Sequence, residues 1–395
     1  MRSSATQSDL DNDFDHLDPS WIADPFPIWD EMRQNCPVAH TDKFNGVYFP
    51  TRYEDVRAIA HDTEHFSSRR LVVQVEPMDP PLIFPPITSD PPAHRAHRKL
   101  LLPLFTPDAI KRHEPHARAV CQELIGRLTG NQSCDGAADY ARHIPVRIIA
   151  QMLGVPNQDA DLFRRWIREL LELGITDPQM VARATEEMCD YFAHAVDKRR
   201  KAPANDMITF LLRAEIDGQP LSNEHIVGTL RLLLIAGIDT TWSAIGACLW
   251  HLATHAQDRH RLVSARDLIP TAVEEFLRAY APVTMAREVI KETKVGGCPV
   301  HPGQMVMLSF PAANRDPSVF EHADRVVIDR QNNGHVAFGL GIHRCIGSNL
   351  ARMEIVVALQ EWLAAFPQFE LAPDAVVTWS MGTTRGPRQL PLRLG

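Results

Sequence analysis

Late in the chain, Phe338-Gly339-Leu340-Gly341-Ile342-His343-Arg344-Cys345-Ile346-Gly347 sets three glycines around one cysteine. Glycine lets backbone pass close to a neighbouring group, so the Cys345 sulfur can be approached from several sides. Ile346, Leu350, Met353 and Val357 follow at helical spacing and predict a helix that starts beside the cysteine. The N–H groups and dipole of such a start favour a thiolate, the form in which cysteine ligates a metal or attacks an electrophile. A cysteine without that setting is usually a small buried hydrophobe. Cys36, Cys121, Cys134, Cys189, Cys248 and Cys298 show no Cys-x-x-Cys pair, which disfavours a disulfide framework and a structural zinc site.

A second group lies in Ala236-Gly237-Ile238-Asp239-Thr240-Thr241. The segment falls inside the longest helical pattern, where a glycine, an aspartate and two threonines are poor helix formers. Conflict between pattern and propensity marks a candidate site. A buried carboxylate beside a hydroxyl can relay protons. A helix kink, with Thr240 bonded back to a carbonyl, accounts for the same residues. Three further pairings are weaker. His94 and Arg98 share a helix face and would by themselves be solvated. Glu275 and Arg278, three apart, would by themselves make a surface ion pair worth a few tenths of a kcal/mol. Arg69 and Arg70 read as a solvated pair, or as partners for a substrate carboxylate.

These residues need elements to hold them. The long helix runs from about residue 223 to 255, capped by Ser222, and is apolar on most sides, so it should cross the core. Strand patterns are short: 47–49, 284–289, 295–300, 305–309 and a last pair at 376–377 and 390–392. The fold class is therefore mainly α with a small β region. Seven prolines between residues 77 and 92 predict an irregular loop, either a rigid connection or a cover over a ligand site. Residues 1–18 read as a loose polar tail and 19–395 as one large α-rich domain with a small sheet.

With 45% hydrophobic and 23% charged residues the chain reads as globular. A net charge of -8 argues against a nucleic-acid binder, though local basic patches can exist against it. No signal peptide or bilayer-spanning run is read, and a reducing cytoplasm is expected. No Gly-x-Gly-x-x-Gly suggests a dinucleotide turn.

The cysteine segment resembles the cytochrome P450 signature Phe-Gly-x-Gly-x-His-x-Cys-x-Gly at every defined position. Asp90-Pro91-Pro92-Ala93-His94-Arg95-Ala96-His97-Arg98 is similar to the family's C-helix motif. Ala236 to Thr241 resembles its oxygen-binding helix, and Glu275-Phe276-Leu277-Arg278 its Glu-x-x-Arg. Ala313-Asn314-Arg315-Asp316-Pro317 with Phe320 resembles the segment before the cysteine loop in bacterial members.

The resemblance implies a P450 fold with haem b between the long central helix and the cysteine-loop helix, and Cys345 as the axial iron ligand. Phe338, Ile346 and Gly347 would flank the haem, and Ala236 would face it. His94, Arg98, Arg287 and His343 would hold its propionates, since buried carboxylates need charged partners. Asp239 and Thr240 would be the acid–alcohol pair, with Gly237 leaving room for O2. Glu275 and Arg278 would be structural. Leu232, Ala236, Val283, Met285 and Thr383, with the loop 73–87, would line an apolar pocket for a small hydrophobic substrate.

The implied reaction inserts one oxygen atom from O2, with electrons from a separate ferredoxin and an NAD(P)H-dependent ferredoxin reductase. The chain is expected to act as a monomer, away from membranes and nucleic acid. Lys99, Lys111, Arg112, Arg344 and Arg352 are candidate contacts for an acidic donor. A peroxide-driven peroxygenase or a haem-binding sensor or carrier are the rivals, and both would do without Asp239-Thr240.

Overall fold

The structure is a computed structural model and describes residues 13–73 and 82–395. Its axis is the central helix Asn223–Thr254, 32 residues long, whose first turn is capped by Ser222 accepting from the His225 N–H at 3.1 Å. Helices His143–Leu153, Pro178–Lys201 and Ser348–Ala365 pack around it, which is why it carries apolar residues on nearly every side. Contrary to the sequence expectation, this helix is long and apolar enough to cross a bilayer. In the fold it is the core helix, with 72% of its most apolar 18-residue window buried.

The main sheet has five strands. Val38–Thr41 pairs antiparallel with Val47–Pro50, which runs parallel to Met305–Ser309; Thr284–Val289 and Phe66–Ser67 follow. The single strand expected at 295–300 is instead a hairpin of Thr293–Val295 with Cys298–Val300, because Gly296 and Gly297 turn the chain at φ +53° and +93°. The expected last pair does not form as read. Thr378–Trp379 pairs with Pro387–Gln389, while Pro391–Leu394 joins Phe369–Leu371 and Ser133–Asp135.

The tail expectation fails from residue 13 on. Phe14 is 2% exposed, stacked on Trp21 at 5.7 Å and against Phe49 at 5.6 Å. Polar neighbours such as Asp13 and Asp15 masked that single anchor in the sequence. Three prolines of the proline-rich stretch (77, 80 and 81) lie outside the described residues.

Glu275 and Arg278 sit on helix Ile269–Ala279, and both are wholly buried. Arg278 Nε and Nη2 each donate to a Glu275 carboxylate oxygen at 2.8 Å. Its remaining donors reach the carbonyls of Asn314, Ala323 and Arg325. The pair thus ties one helix to the loop that leads into the cysteine segment.

Candidate active site

Cys345 lies three residues before helix Ser348–Ala365, just short of the helix start. Two left-handed glycines shape the loop: Gly339 at φ +69° and Gly341 at φ +65°. A Cβ on Gly341 would stand 2.3 Å from the Ala60 carbonyl, so helix Tyr53–His61 can press directly on the loop. The Cys345 N–H donates to the Phe338 carbonyl at 2.8 Å, which closes the loop around the sulfur. The residue is open to an internal cleft but ringed by protein. Burial pushes its thiol up, while the Gly347 N–H and Arg98, Arg344 and Arg352 favour the thiolate.

Across the cleft stands the central helix, where Ala236 is exposed and Leu232, Ile235, Gly237 and Thr240 around it are half-buried. At one end His94 and His343 meet ring to ring at 4.4 Å, with His94 Nε2 and His343 Nδ1 buried and unpartnered. Arg98 donates through Nη2 to the Arg344 carbonyl at 2.6 Å. Arg287, 6% exposed, reaches only the Ala286 carbonyl. Burial, then Arg287 and His94, depress His343 to about 3. Asp90 acts on His94 and Arg287 only through space, so these cations and imidazoles, gathered without an ion-pair partner among the described residues, fit a group that brings carboxylates, as haem b does. Phe338 carries the Arg352 guanidinium at 4.4 Å from its ring centre, and Ile346 packs against the main core.

The acid and the alcohol do not meet as expected. Thr240 Oγ1 donates to the Ala236 carbonyl at 2.9 Å, the back-bonded helix form. Asp239, 1% exposed, points elsewhere and lies 2.8 Å from Arg388 Nη2. That contact is close enough for an ion pair but poorly aligned, leaving both carboxylate oxygens without a formed hydrogen bond. Burial pushes the Asp239 carboxyl up, and Arg388 opposes it. Arg388 is shared: Nε donates to Glu172 at 3.1 Å, Nη1 to the Ser243 hydroxyl at 3.2 Å, and its guanidinium lies over Trp242.

A Cβ on Gly237 would stand 2.5 Å from Ile149 Cδ1, so the missing side chain admits the neighbouring helix His143–Leu153. Met285 and Thr383 line one cavity with Val73, Ile175, Thr284 and Met307. Val283 bridges to Thr384 nearby, whereas Leu232 and Ala236 lie on the central helix outside that cavity. Of the loop 73–87, residues 74–81 fall outside the described ones. Arg69 Nε is 3.5 Å from Asp90 and Arg70 Nε 4.0 Å from Glu288, so each has a carboxylate in the protein. Arg352 is likewise engaged, with Nε and Nη2 on Glu274 at 2.6 and 2.8 Å. Burial alone would raise Glu274, but Arg352 and His335 pull it down to about 2.

Sequence reasoning missed Arg388, Glu172 and Glu354. Glu354 is wholly buried on the cysteine-loop helix with neither oxygen partnered. Its charge between Met353 and Ile355, four residues after Leu350 on the apolar face of that helix, was the available signal.

The cytochrome P450 family profile matches residues 146–384. Mycinamicin IV hydroxylase/epoxidase of Micromonospora griseorubida is 33% identical over 92% of this chain and 94% of its own length. Cyclomarin C epoxidase CymV of Salinispora arenicola is 34% identical over 91% and 93%. CYP109E1 from Bacillus megaterium, solved with testosterone, superposes with a TM-score of 0.88 at 29% identity, covering 99% of this chain and all of that one. The chain belongs to the cytochrome P450 family. It is a P450 monooxygenase with haem b as cofactor, using a redox partner, O2 and a hydrophobic substrate.

Proposed function

We propose that this enzyme inserts one oxygen atom from O2 into a small hydrophobic molecule, supported by a ferredoxin and its NAD(P)H-dependent reductase, with Cys345 ligating the iron. The observation that carries the reading is the cluster of His94, Arg98, Arg287 and His343 near Cys345, none of which forms an ion pair with a carboxylate of the described residues. The two haem propionates are the carboxylates this cluster lacks. Bound haem supplies O2 activation, in which two electrons and two protons send one oxygen atom to substrate and one to water.

The chain's own task is then to hold substrate and move protons. Thr240 must release the Ala236 carbonyl before its hydroxyl can donate into the cleft. Asp239 must turn from Arg388 to exchange a proton with it. Thr240→Ala is expected to bind substrate and consume NADH normally while diverting electrons to peroxide or water. Asp239→Asn should slow turnover by on the order of tenfold to a hundredfold. Product formed per NADH, together with the turnover rate, checks this; unchanged values in both variants remove the pair from the mechanism.

We read the chain from residue 13 to 395 as one catalytic domain that acts as a monomer in the cytoplasm. Free thiols at Cys121, Cys134, Cys189, Cys248, Cys298 and Cys345 support a reducing compartment. Docking of an acidic ferredoxin is supported by Lys99, Lys111, Arg112 and Arg344, all exposed. Arg352 drops out of this set because Glu274 neutralises it. Arg112→Glu and Lys111→Glu should therefore cut ferredoxin-supported turnover several-fold at low salt, and the loss should shrink as salt rises. The substrate-induced spectral shift should stay unchanged. Equal ferredoxin dependence in the reversed variants would move the docking face elsewhere.

A further inference from the structure

Among the described residues five arginines are buried: Arg33, Arg231, Arg259, Arg278 and Arg287. Four of them donate to carbonyls or carboxylates. Arg231 donates to no acceptor among the described residues. It is 5% exposed, and its Nε and Nη2 are both buried without a partner. A buried charge without a counter-ion is strongly unfavourable, so such a group points to an anion that arrives with a ligand. For Arg287 the haem propionates answer that need. Arg231 lies elsewhere, nine residues before Thr240 on the central helix, which is about 14 Å along its axis at ~1.5 Å per residue.

Its surroundings hold the guanidinium in place and leave its charge unanswered. The segment 82–88 is pressed onto this part of the helix: a Cβ on Gly228 would stand 2.7 Å from the Ile83 carbonyl, and Thr229 Oγ1 donates to the Pro85 carbonyl at 3.3 Å. Phe84, from the same segment, presents its ring 4.7 Å from the Arg231 guanidinium carbon. The thiol of Cys189, on helix Pro178–Lys201, is the one titratable side chain that acts on it electrostatically. Burial lowers the arginine's own affinity for its proton, as expected of a cation lacking a carboxylate. Leu232 and Ile235, one and four residues on, are half-buried, and Ala236 beyond them is exposed to the cleft. At about 100° per residue, Ile235 lies about 40° and Leu232 about 100° round the helix from Arg231, so the two make a half-buried aliphatic wall between the cation and Ala236, which lies about 140° round.

We propose that Arg231 anchors the carboxylate of the substrate, so that the substrate class is an apolar monocarboxylic acid whose far end reaches the cleft at Ala236 and Thr240. This rests on the monooxygenase reading of the site, and it changes the expected substrate from a neutral hydrophobe to an amphiphile. Arg69 and Arg70, which the sequence offers for that role, already face Asp90 and Glu288.

The test uses haem-loaded, full-length protein and reads the Soret shift on binding, which needs no electron donor. Failure to turn over would thus count against the monooxygenase reading and not against this one. The probes are dodecanoic acid and para-butylbenzoic acid, each against its methyl ester. Wild type should bind at least one acid on the order of tenfold tighter than its ester. R231M should lose that preference through weaker acid binding, with ester affinity and the CO spectrum unchanged, and R231K should fall between. Should R231M fail to retain haem, the acid-to-ester ratio of wild type still decides. Esters binding as tightly as their acids in wild type, or an equal loss for both in R231M, would overturn the proposal.

Discussion

Cys345→His, reduced and exposed to carbon monoxide, is expected to lose the far red-shifted Soret band that a thiolate trans to CO produces, while still retaining haem. Retention follows from the division of labour in the cleft. His94, Arg98, Arg287 and His343 would hold the propionates, and none of them depends on the sulfur. Loss of the band follows from the loop. The Phe338 carbonyl fixes the backbone of residue 345, and the Gly347 N–H together with three arginines favours a thiolate at that one place. No other cysteine is prepared in this way. Burial pushes the thiols of Cys121 and Cys134 up to about 12, so they stay protonated at neutral pH. The spectrum of each single cysteine variant is the measurement. The assignment fails if the band survives Cys345→His and disappears with another cysteine.

What could be read in the sequence follows how local the physics is. The cysteine loop was legible because its glycines, its histidine and the helix that follows act within a few residues of one another. The central helix was legible because burial on all sides leaves a long apolar run. Contacts across the fold were not legible. Asp239 meets Arg388, about 150 positions later, on a strand whose pattern gives no hint of a buried cation. Gly237 looked like room for O2, and the packing of Ile149 against it could not be read. Arg352 looked free because its partner Glu274 lies on another helix. Phe14 was lost among acidic neighbours, though one aromatic against Trp21 and Phe49 suffices to pin the chain. Arg231 was invisible as a site for the opposite reason, since its defining property is a partner that is missing.

The second large effect concerns folding. Glu275→Ala and Arg278→Ala should each give little haem-loaded protein. Both side chains are wholly buried, so truncating one strands the other, at a cost of about 3–5 kcal/mol. A domain stable by about 5–15 kcal/mol can lose most of its margin in that step. Glu275 also accepts from the Val327 N–H, Arg330 Nε and Asn333 Nδ2, so its loss frees three more donors. The pH dependence has a definite sign. Burial alone would raise the Glu275 carboxyl, but Arg278 and its other partners bring it below its ordinary value. A depressed carboxylate stabilises the fold above its unfolded pKa, and that contribution fades as pH falls through the folded value. Wild type should therefore lose stability in acid, and Glu275→Gln should lose less on acidification because it has no proton to gain. Removing both charges, as in Glu275→Leu with Arg278→Met, should recover part of the single-variant loss, since no charge of the pair remains buried. Recovery should stay partial, because Arg330 and the carbonyls of Asn314, Ala323 and Arg325 remain short of partners. Haem-loaded yield and melting temperature across the four variants check this. Wild-type values for either alanine variant would show that the pair does not hold the cysteine segment in place.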